Sequence, residues 1–544
     1  MLQHAHHVLD RIARRLAALV NDGSGGVSTA RLEHIQPELL AFARHLAQIR
    51  AAEALAVWGQ RHGTHEVALA RTYEALACAD LCRWTRFNET ALGLDPTDPP
   101  FSRFEDRAIE ELLGTPALSA LGKAILERDV EPAGALGLDE LHRQIQREFQ
   151  TFADKEVAPV AEHIHRHDAL IPEPLLRAMA KLGVFGISIP EDYGGSFVGH
   201  KAMILATEEL SRASLGAGGS VITRPEICAK AILKGGSDAQ KQAWLPAIAE
   251  GRKLVSVAVT EPDAGSDVAR LKATARKVDG GYVLNGEKTW CTFAGRADWL
   301  CLLARTGTPQ DGHRGLTLFL VEKPSRTSED HARGDGGEHA FQYTATSPAG
   351  LVGTMTGNAI PTIGYRGMHS FSIGLEDWFV PDDRRIGAEG QGFYLQMEGF
   401  AGGRIQTAAR AVGVMEAAFR SALSYVKDRQ VFGKPLASLP LTQVKVAEMA
   451  ARLQAARQLA YAVGDLMDAG EGQFEASLVK LLSCKDAEWV TREAMQLHGG
   501  MGYSEEYLVS RLWQDARVLS IFEGAEEVLG LLVIGRQRLA EVLK

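Results

Sequence analysis

The segment SIFEGAEEV, residues 520–528, sets three glutamates within five residues. Glu526 and Glu527 read as acids in the first turn of a helix, where carboxylates complement the positive end of the helix dipole. Glu523 lies outside that explanation. It follows Ile521 and Phe522, precedes Gly524 and comes before the helix. An acid between an apolar run and a glycine is unexplained by helix capping, and what it does there depends on the rest of the chain. Other residue types capable of chemistry are less pointed. The six cysteines (Cys78, Cys82, Cys228, Cys291, Cys301 and Cys484) are thinly scattered, as expected of reduced thiols. Cys78 and Cys82 are spaced i,i+4 and read as two core residues on one helix face, since no second pair follows to complete a metal site. His163 and His167 close a polar helix end and read as exposed, so no metal is expected. G-x-G-x-x-G after a strand, G-x-x-x-x-G-K-[ST], H-E-x-x-H and G-x-S-x-G are all absent. A nucleotide cofactor would therefore not sit on a Rossmann turn or a P-loop.

The elements that must position Glu523 follow from period and composition. With 544 residues the chain exceeds one hydrophobic core, and three or four domains are expected. A hydrophobic share of 46% with 23% charged residues places it among ordinary globular proteins. The net charge of −9 argues against a general nucleic-acid binder. No run of eighteen apolar residues predicts a membrane span. The first residues, MLQHAHHVLDRIARR, lack the apolar core of a signal peptide, and a cytoplasmic location is expected. Residues 1–135 read as an extra helical domain punctuated by NDGSGG and LDPTDPPF. A second helical domain spans 136–253. At 254 the period changes to strands: LVSVAVT, a hairpin turning at Asp279-Gly280-Gly281, then WLCLLAR, LTLFLVE and FSIGLEDWFV. This β domain covers 254–383 and contains a polar stretch at 325–339, read as a linker or a flap. Residues 384–544 return to helix. Ile405, Ala408, Val412, Met415, Phe419, Leu423 and Val426 form one apolar stripe. Val446, Met449, Leu453, Ala456, Ala460, Val463 and Met467 form another, as in a helical bundle. The fold class is α+β multidomain, without alternating βα units.

Five segments in order carry a specific resemblance: VAVTEPDAGSD (257–267), GEKTWCTFAG (286–295), KDRQVFGKP (427–435), QLHGGMGY (496–503) and IFEGAEEV (521–528). Together with GYRGMHSFSIGLEDWFVP they resemble the acyl-CoA dehydrogenase family over about residues 138–544. The resemblance implies a helical domain, a β-barrel-like domain and a C-terminal four-helix bundle, with FAD bound and a homodimer or homotetramer formed. It implies that Val257, Val259, Thr260, Gly265 and Ser266 wrap the flavin, with Ser266 also near the thioester. Trp290 and Thr292 would pack against the isoalloxazine and bond near its N5. Arg429, Phe432, Gln496, Gly499 and Gly500 match positions that reach the ADP half of FAD in a neighbouring subunit. An arginine fork suits a pyrophosphate, and glycines admit close backbone approach. Taken alone, Trp290 and Thr292 would read as buried strand residues, and Gly499-Gly500 as a helix break. The sequence departs from the family pattern at Pro440, Ala525 and Glu527, which leaves the adenosine-end contacts open.

In the resemblance Glu523 is the base and takes the α-proton of an acyl-CoA thioester, while the β-hydrogen leaves as hydride to flavin N5. The Glu523 backbone N–H and a ribityl hydroxyl would stabilise the enolate-like oxygen, and burial would raise the Glu523 pKa. The other base position known in the family precedes Arg404. Here it is Gly403, and Glu398, six residues before Arg404, reads as structural. Arg404 and Gly524 are carried over as substrate contacts. An electron-transfer flavoprotein is the implied acceptor. The additional residues 1–135 and the polar insertion narrow the resemblance to a member acting on a dicarboxylic thioester. A second carboxylate demands a cation. Arg224, in GGSVITRPEI, is the candidate, and a solvated helix-start arginine is the equal alternative. Arg366 reads as structural. A glutaryl-CoA-like enzyme, an acyl-CoA oxidase and a DNA-binding relative are the rival readings.

Overall fold

A computed structural model describes residues 1–94, 103–324 and 339–544, with the side chains of 103–105 and 401 set aside. Most of the polar stretch 325–339 and of LDPTDPPF therefore lies outside the described residues. The chain divides into two compact units, residues 146–406 and residues 1–145 with 407–544.

The unit 146–406 joins helices to one nine-stranded sheet. Its strands are β1 (Val255–Ala258), β2 (Thr274–Val278), β3 (Gly281–Thr292), β4 (Trp299–Arg305), β5 (Leu316–Glu322), β6 (Ala340–Thr346), β7 (Val352–Ala359), β8 (Ser370–Pro381) and β9 (Arg385–Ile386). The order is β6-β7-β8-β3-β2-β4-β5-β9, with β1 parallel to β4. The β2–β3 hairpin turns at Asp279-Gly280, as the sequence predicts, and Gly280 supplies the left-handed φ of +73°. β4 and β5 are largely apolar because both faces are covered. Side chains alternate across a strand, so Trp299, Cys301 and Leu303 enter one core with Leu316, Leu318 and Leu320. Leu300, Leu302 and Ala304 enter a second core with Phe319, Val321 and Phe371. The first core is closed by Cys228, Ile232, Trp244 and Ile248 from helices Thr223–Gly235 and Asp238–Ala249. Asp168 caps helix Ala158–His167 in a left-handed conformation, with Arg366 at 3.3 Å and His369 at 3.1 Å. The His339 ring lies tilted 4.9 Å from that of His369, but Arg366 already balances the carboxylate, and the group reads as an ion-pair cluster. His163 and His167 are exposed.

The other unit contains the helical bundle. Its long helices are Gly392–Asp428 (from Thr407 on), Pro440–Asp468 and Gln473–His498. Every residue of the first predicted stripe is buried, and of the second only Met467, near the helix end, is partly open. Pro440–Asp468 carries a second buried row, Ala447, Ala450, Ala451 and Ala455. The cause lies in residues 1–145, which pack on the bundle. Gly122 meets the Gln443 backbone so closely that a Cβ would stand 1.9 Å from its carbonyl oxygen. Gln454 Nε2 donates to the Gly134 carbonyl at 3.0 Å, and Gln458 Nε2 to that of Leu136 at 3.3 Å. Cys78 and Cys82 are buried, as expected of core residues. Among the described residues no helix is long and apolar enough to cross a membrane.

Candidate active site

In the unit 146–406 the candidate flavin loop is held from beneath. β1 ends at Ala258, and the chain turns through Val259, Thr260 and Glu261 to the exposed Gly265 and Ser266. Val257 is half-buried and Val259 buried. The Thr289 N–H donates to the Thr260 carbonyl at 2.9 Å. Lys288, fully buried, donates from Nζ to the Val259 carbonyl at 3.1 Å and to Glu261 Oε1 at 2.8 Å. Burial pushes the Lys288 ammonium below its usual range, with Glu261 opposing the shift. Glu261 also accepts from the N–H groups of Lys272 at 2.6 Å and Ala273 at 2.9 Å. A buried pair whose remaining oxygens are satisfied in this way holds a loop in one geometry. The sequence pattern does not mark Lys288 and Glu261 as site residues; a charge inside a run that is otherwise strand is the available signal.

Trp290 departs from the buried strand residue that its position alone would give. The β3–β8 register slips between Lys288 and Cys291, and Trp290 takes φ +57°. This bulge turns the indole outward, 55% exposed between the buried Thr289 and Cys291. Thr292 stays buried, its Oγ1 3.0 Å from Ser370 Oγ, while its carbonyl accepts from Ser256 Oγ at 2.7 Å.

Arg224 lies in the first turn of helix Thr223–Gly235. It is only 5% exposed, Nη1 is buried without a partner, and the side chain makes no hydrogen bond or ion pair with a described residue. The solvated alternative is thus excluded. Two residues on, Glu226 pairs with Lys230 at 2.8 Å. Gly399 and Gly402 of helix Gly392–Asp428 close against this helix, and a Cβ on Gly402 would stand 2.2 Å from Glu226 Oε1. Arg404 follows on the same helix and is half-buried, whereas Glu398 is exposed.

In the unit formed by 1–145 and 407–544, helix Leu508–Leu519 ends and the chain makes a tight turn, with Glu523 at φ +53° and Gly524 at φ +93°. Left-handed backbone costs a glutamate of order 1–3 kcal/mol, so the surroundings must impose it. Three contacts do. The Glu526 N–H donates to the Ser520 carbonyl at 3.2 Å, which closes the turn. Lys480, 1% exposed, donates from Nζ to the Gly524 carbonyl at 2.7 Å. Arg410 lies 4.6 Å from the centre of the Phe522 ring. Burial lowers the Lys480 pKa, against the raising effect of Cys484 and Glu523. Neither the carboxylate nor the backbone N–H of Glu523 makes a hydrogen bond with a described residue, and the side chain is partly exposed rather than sealed in. Lys480 and Arg410 are not legible as site residues in the sequence, because both lie in long helices that read as core.

The remaining candidates stand on the surface of this unit. Arg429 is exposed, and Phe432, at φ +48°, is 96% exposed in a two-stranded turn. Gln496, Gly499 and Gly500 are exposed, and a Cβ on either glycine would meet nothing within 4 Å.

A helical segment, a β domain with an outward tryptophan at a bulge and a bundle bearing a glutamate on a strained turn define the class. Family models described as the acyl-CoA dehydrogenase N-terminal, middle and C-terminal domains match residues 139–252, 256–342 and 390–538. The chain belongs to the acyl-CoA dehydrogenase family, oxidoreductases acting on CH–CH bonds. Among its relatives is the (2S)-methylsuccinyl-CoA dehydrogenase of Cereibacter sphaeroides, 42% identical over 405 residues, which are 74% of this chain and 70% of that one. The solved butyryl-CoA dehydrogenase of Megasphaera elsdenii superposes with a TM-score of 0.65 at 31% identity, over 73% of this chain and 98% of that one. A chain from a solved structure described as the electron transferring flavoprotein of Acidaminococcus fermentans gives a TM-score of 0.66 at 31% identity, over 74% of this chain and 98% of that one.

Proposed function

We propose that the protein catalyses FAD-dependent α,β-dehydrogenation of a dicarboxylic acyl-CoA, namely (2S)-methylsuccinyl-CoA to mesaconyl-CoA. The observation that carries the substrate is Arg224. A guanidinium that is nine-tenths buried and has no partner among the described residues is costly unless an anion completes it. The second carboxylate of methylsuccinyl-CoA supplies that anion, and the 42% identical relative is named for the same substrate.

The residues fit a flavin. The outward Trp290 offers an uncovered aromatic face, and the buried Thr292 a hydroxyl beside it. Gly265 leaves room, a Cβ there meeting only Thr260 Cγ2 at 3.6 Å. Val257, Val259, Thr260 and Ser266 supply the rest of the loop. Arg429, Phe432, Gln496, Gly499 and Gly500 would hold the ADP half across a subunit boundary. In a homodimer or homotetramer that boundary would cover the exposed Phe432. When bound, FAD accepts the β-hydrogen as hydride.

The protein's own groups do the remainder. The Glu523 carboxylate takes the α-proton, and no described residue ties it up in a hydrogen bond. The Glu523 backbone N–H is an unused donor and would bond the thioester oxygen as negative charge develops there. Gly524 gives the thioester close access to the backbone. Ser266 and Arg404 border the substrate, and Arg224 binds its free carboxylate. Electrons then leave to an electron-transfer flavoprotein in the cytoplasm, a partner that the Acidaminococcus likeness supports.

The test is a visible spectrum followed by a panel of acyl-CoAs with an artificial electron acceptor. Methylsuccinyl-CoA should bleach the flavin and butyryl-CoA should not. Release of CO₂ would instead mark a glutaryl-type reaction, and oxygen-dependent recolouring an oxidase. Glu523→Gln should keep the yellow colour and lose turnover by about 10²–10⁴-fold. Retained turnover would remove Glu523 as the base.

A further inference from the structure

Residues 1–145 contain none of the flavin or base motifs, yet they reach the turn that presents Glu523. The route is short. Immediately after that turn the chain runs as a π-helical stretch, Leu529–Gly535. Leu529 packs under Gly524, where an added Cβ would stand 3.1 Å from Leu529 Cδ2. The next residue, Gly530, faces helix Gln36–His62, and a Cβ there would fall 2.5 Å from Leu40 Cδ1. At Gly535 a Cβ would fall 2.5 Å from Leu39 Cγ. Two glycines thus let the N-terminal helix press directly on the backbone that continues from the base.

The same helix contributes a charge. The Arg44 guanidinium pairs with Glu526 Oε1, and Lys485 lies 3.5 Å from Oε2. The Glu526 side chain is only 11% exposed, and its backbone N–H closes the turn on Ser520. An ordinary interface ion pair could fall anywhere along this contact. This one ends on the residue that closes the turn, three positions from Glu523.

We propose that Arg44 is a positioning residue for Glu523, and that the N-terminal helices serve as an internal brace for the base. Lys480 holds the turn from the bundle at the Gly524 carbonyl, and Arg44, with Lys485, holds it at Glu526. Of these cations Arg44 is the one supplied by the N-terminal helices. The inference rests on Glu523 being the base.

The experiment uses the full-length holoenzyme with methylsuccinyl-CoA and an artificial acceptor. Arg44→Met should lower kcat about 10- to 100-fold, since small misplacements of a reacting group cost that much. KM and flavin content should stay within about 2-fold of the parent. Arg44→Lys should recover most of kcat. Glu526→Gln should reproduce the loss, and the double variant Arg44→Met/Glu526→Gln should be no worse than either alone, as for two residues acting through one contact. An unchanged kcat in Arg44→Met would overturn the proposal. So would a matched fall in kcat, flavin content and melting temperature that lysine does not rescue, which marks a purely structural pair. If Glu523→Gln keeps its turnover, the base assignment and this inference fall together. If Glu523→Gln is inactive while Arg44→Met runs at the parental kcat, only this inference falls.

Discussion

A buried charge with no partner among the described residues is the most informative kind of residue in this molecule, and Arg224 is the example. Water offsets the solvation cost of an exposed arginine; a buried one needs an anion. Truncating it should therefore separate substrates. With Arg224→Ala, KM for methylsuccinyl-CoA should rise on the order of 10²-fold, while the inhibition constant of butyryl-CoA as a competitive ligand should change by less than about 3-fold, both read from steady-state kinetics. An equal effect on both would return Arg224 to a structural role. At this scale the sequence is legible where a residue type is out of place. Glu523 can be picked out because it interrupts an apolar run ahead of a glycine. Conformation is not legible: nothing in GEKTWCT announces that Trp290 takes a positive φ at a bulge and faces outward. Lys480 escapes for another reason. Its neighbours in the helix are apolar, and its partner, the Gly524 carbonyl, is a backbone atom 44 residues away.

Elements are read best where one face is buried. The seven positions of the Ile405–Val426 stripe all lie in the core, because a long amphipathic helix has one way to hide them. The hairpin at Asp279-Gly280 follows from its turn residues. Polar groups inside elements are the blind spot, and Glu416 is one of them. Burial alone would push its carboxyl up, but Arg457 at 2.7 Å and Arg420 hold it down at about 2. The sign follows from a depressed folded value. The contribution is present above the unfolded value of 4.5 and is lost as pH falls toward about 2. The shift corresponds to about 3 kcal/mol favouring the ionised carboxyl, shared between Arg457 of helix Pro440–Asp468 and Arg420 on Glu416's own helix. Glu416→Gln should lower Tm at pH 7, and the loss of Tm between pH 7 and pH 3 should become shallower than in the parent. Differential scanning fluorimetry across that range checks both, and parallel acid limbs would refute the linkage.

For the whole molecule the sequence places a helical block at each end but carries little sign that the two ends fold together. Residues 1–135 read as a domain of their own. In the structure residues 1–145 and 407–544 form a single unit. Contacts between distant segments leave no local period to detect. The one trace is helix Pro440–Asp468, whose alanines line a second face that a simple bundle would leave to water. A chain starting at residue 136 should expose that face and fail to give soluble, monodisperse protein by size-exclusion chromatography. A well-behaved yellow fragment would contradict this. The arrangement also bears on synthesis. The first 145 residues leave the ribosome before residues 146–406 are made, and their partner helices come only after these. At about 5–20 residues per second the wait is on the order of tens of seconds. Throughout that interval the nascent amino-terminal helices carry their sticky sides uncovered, which makes them natural clients for a holding chaperone.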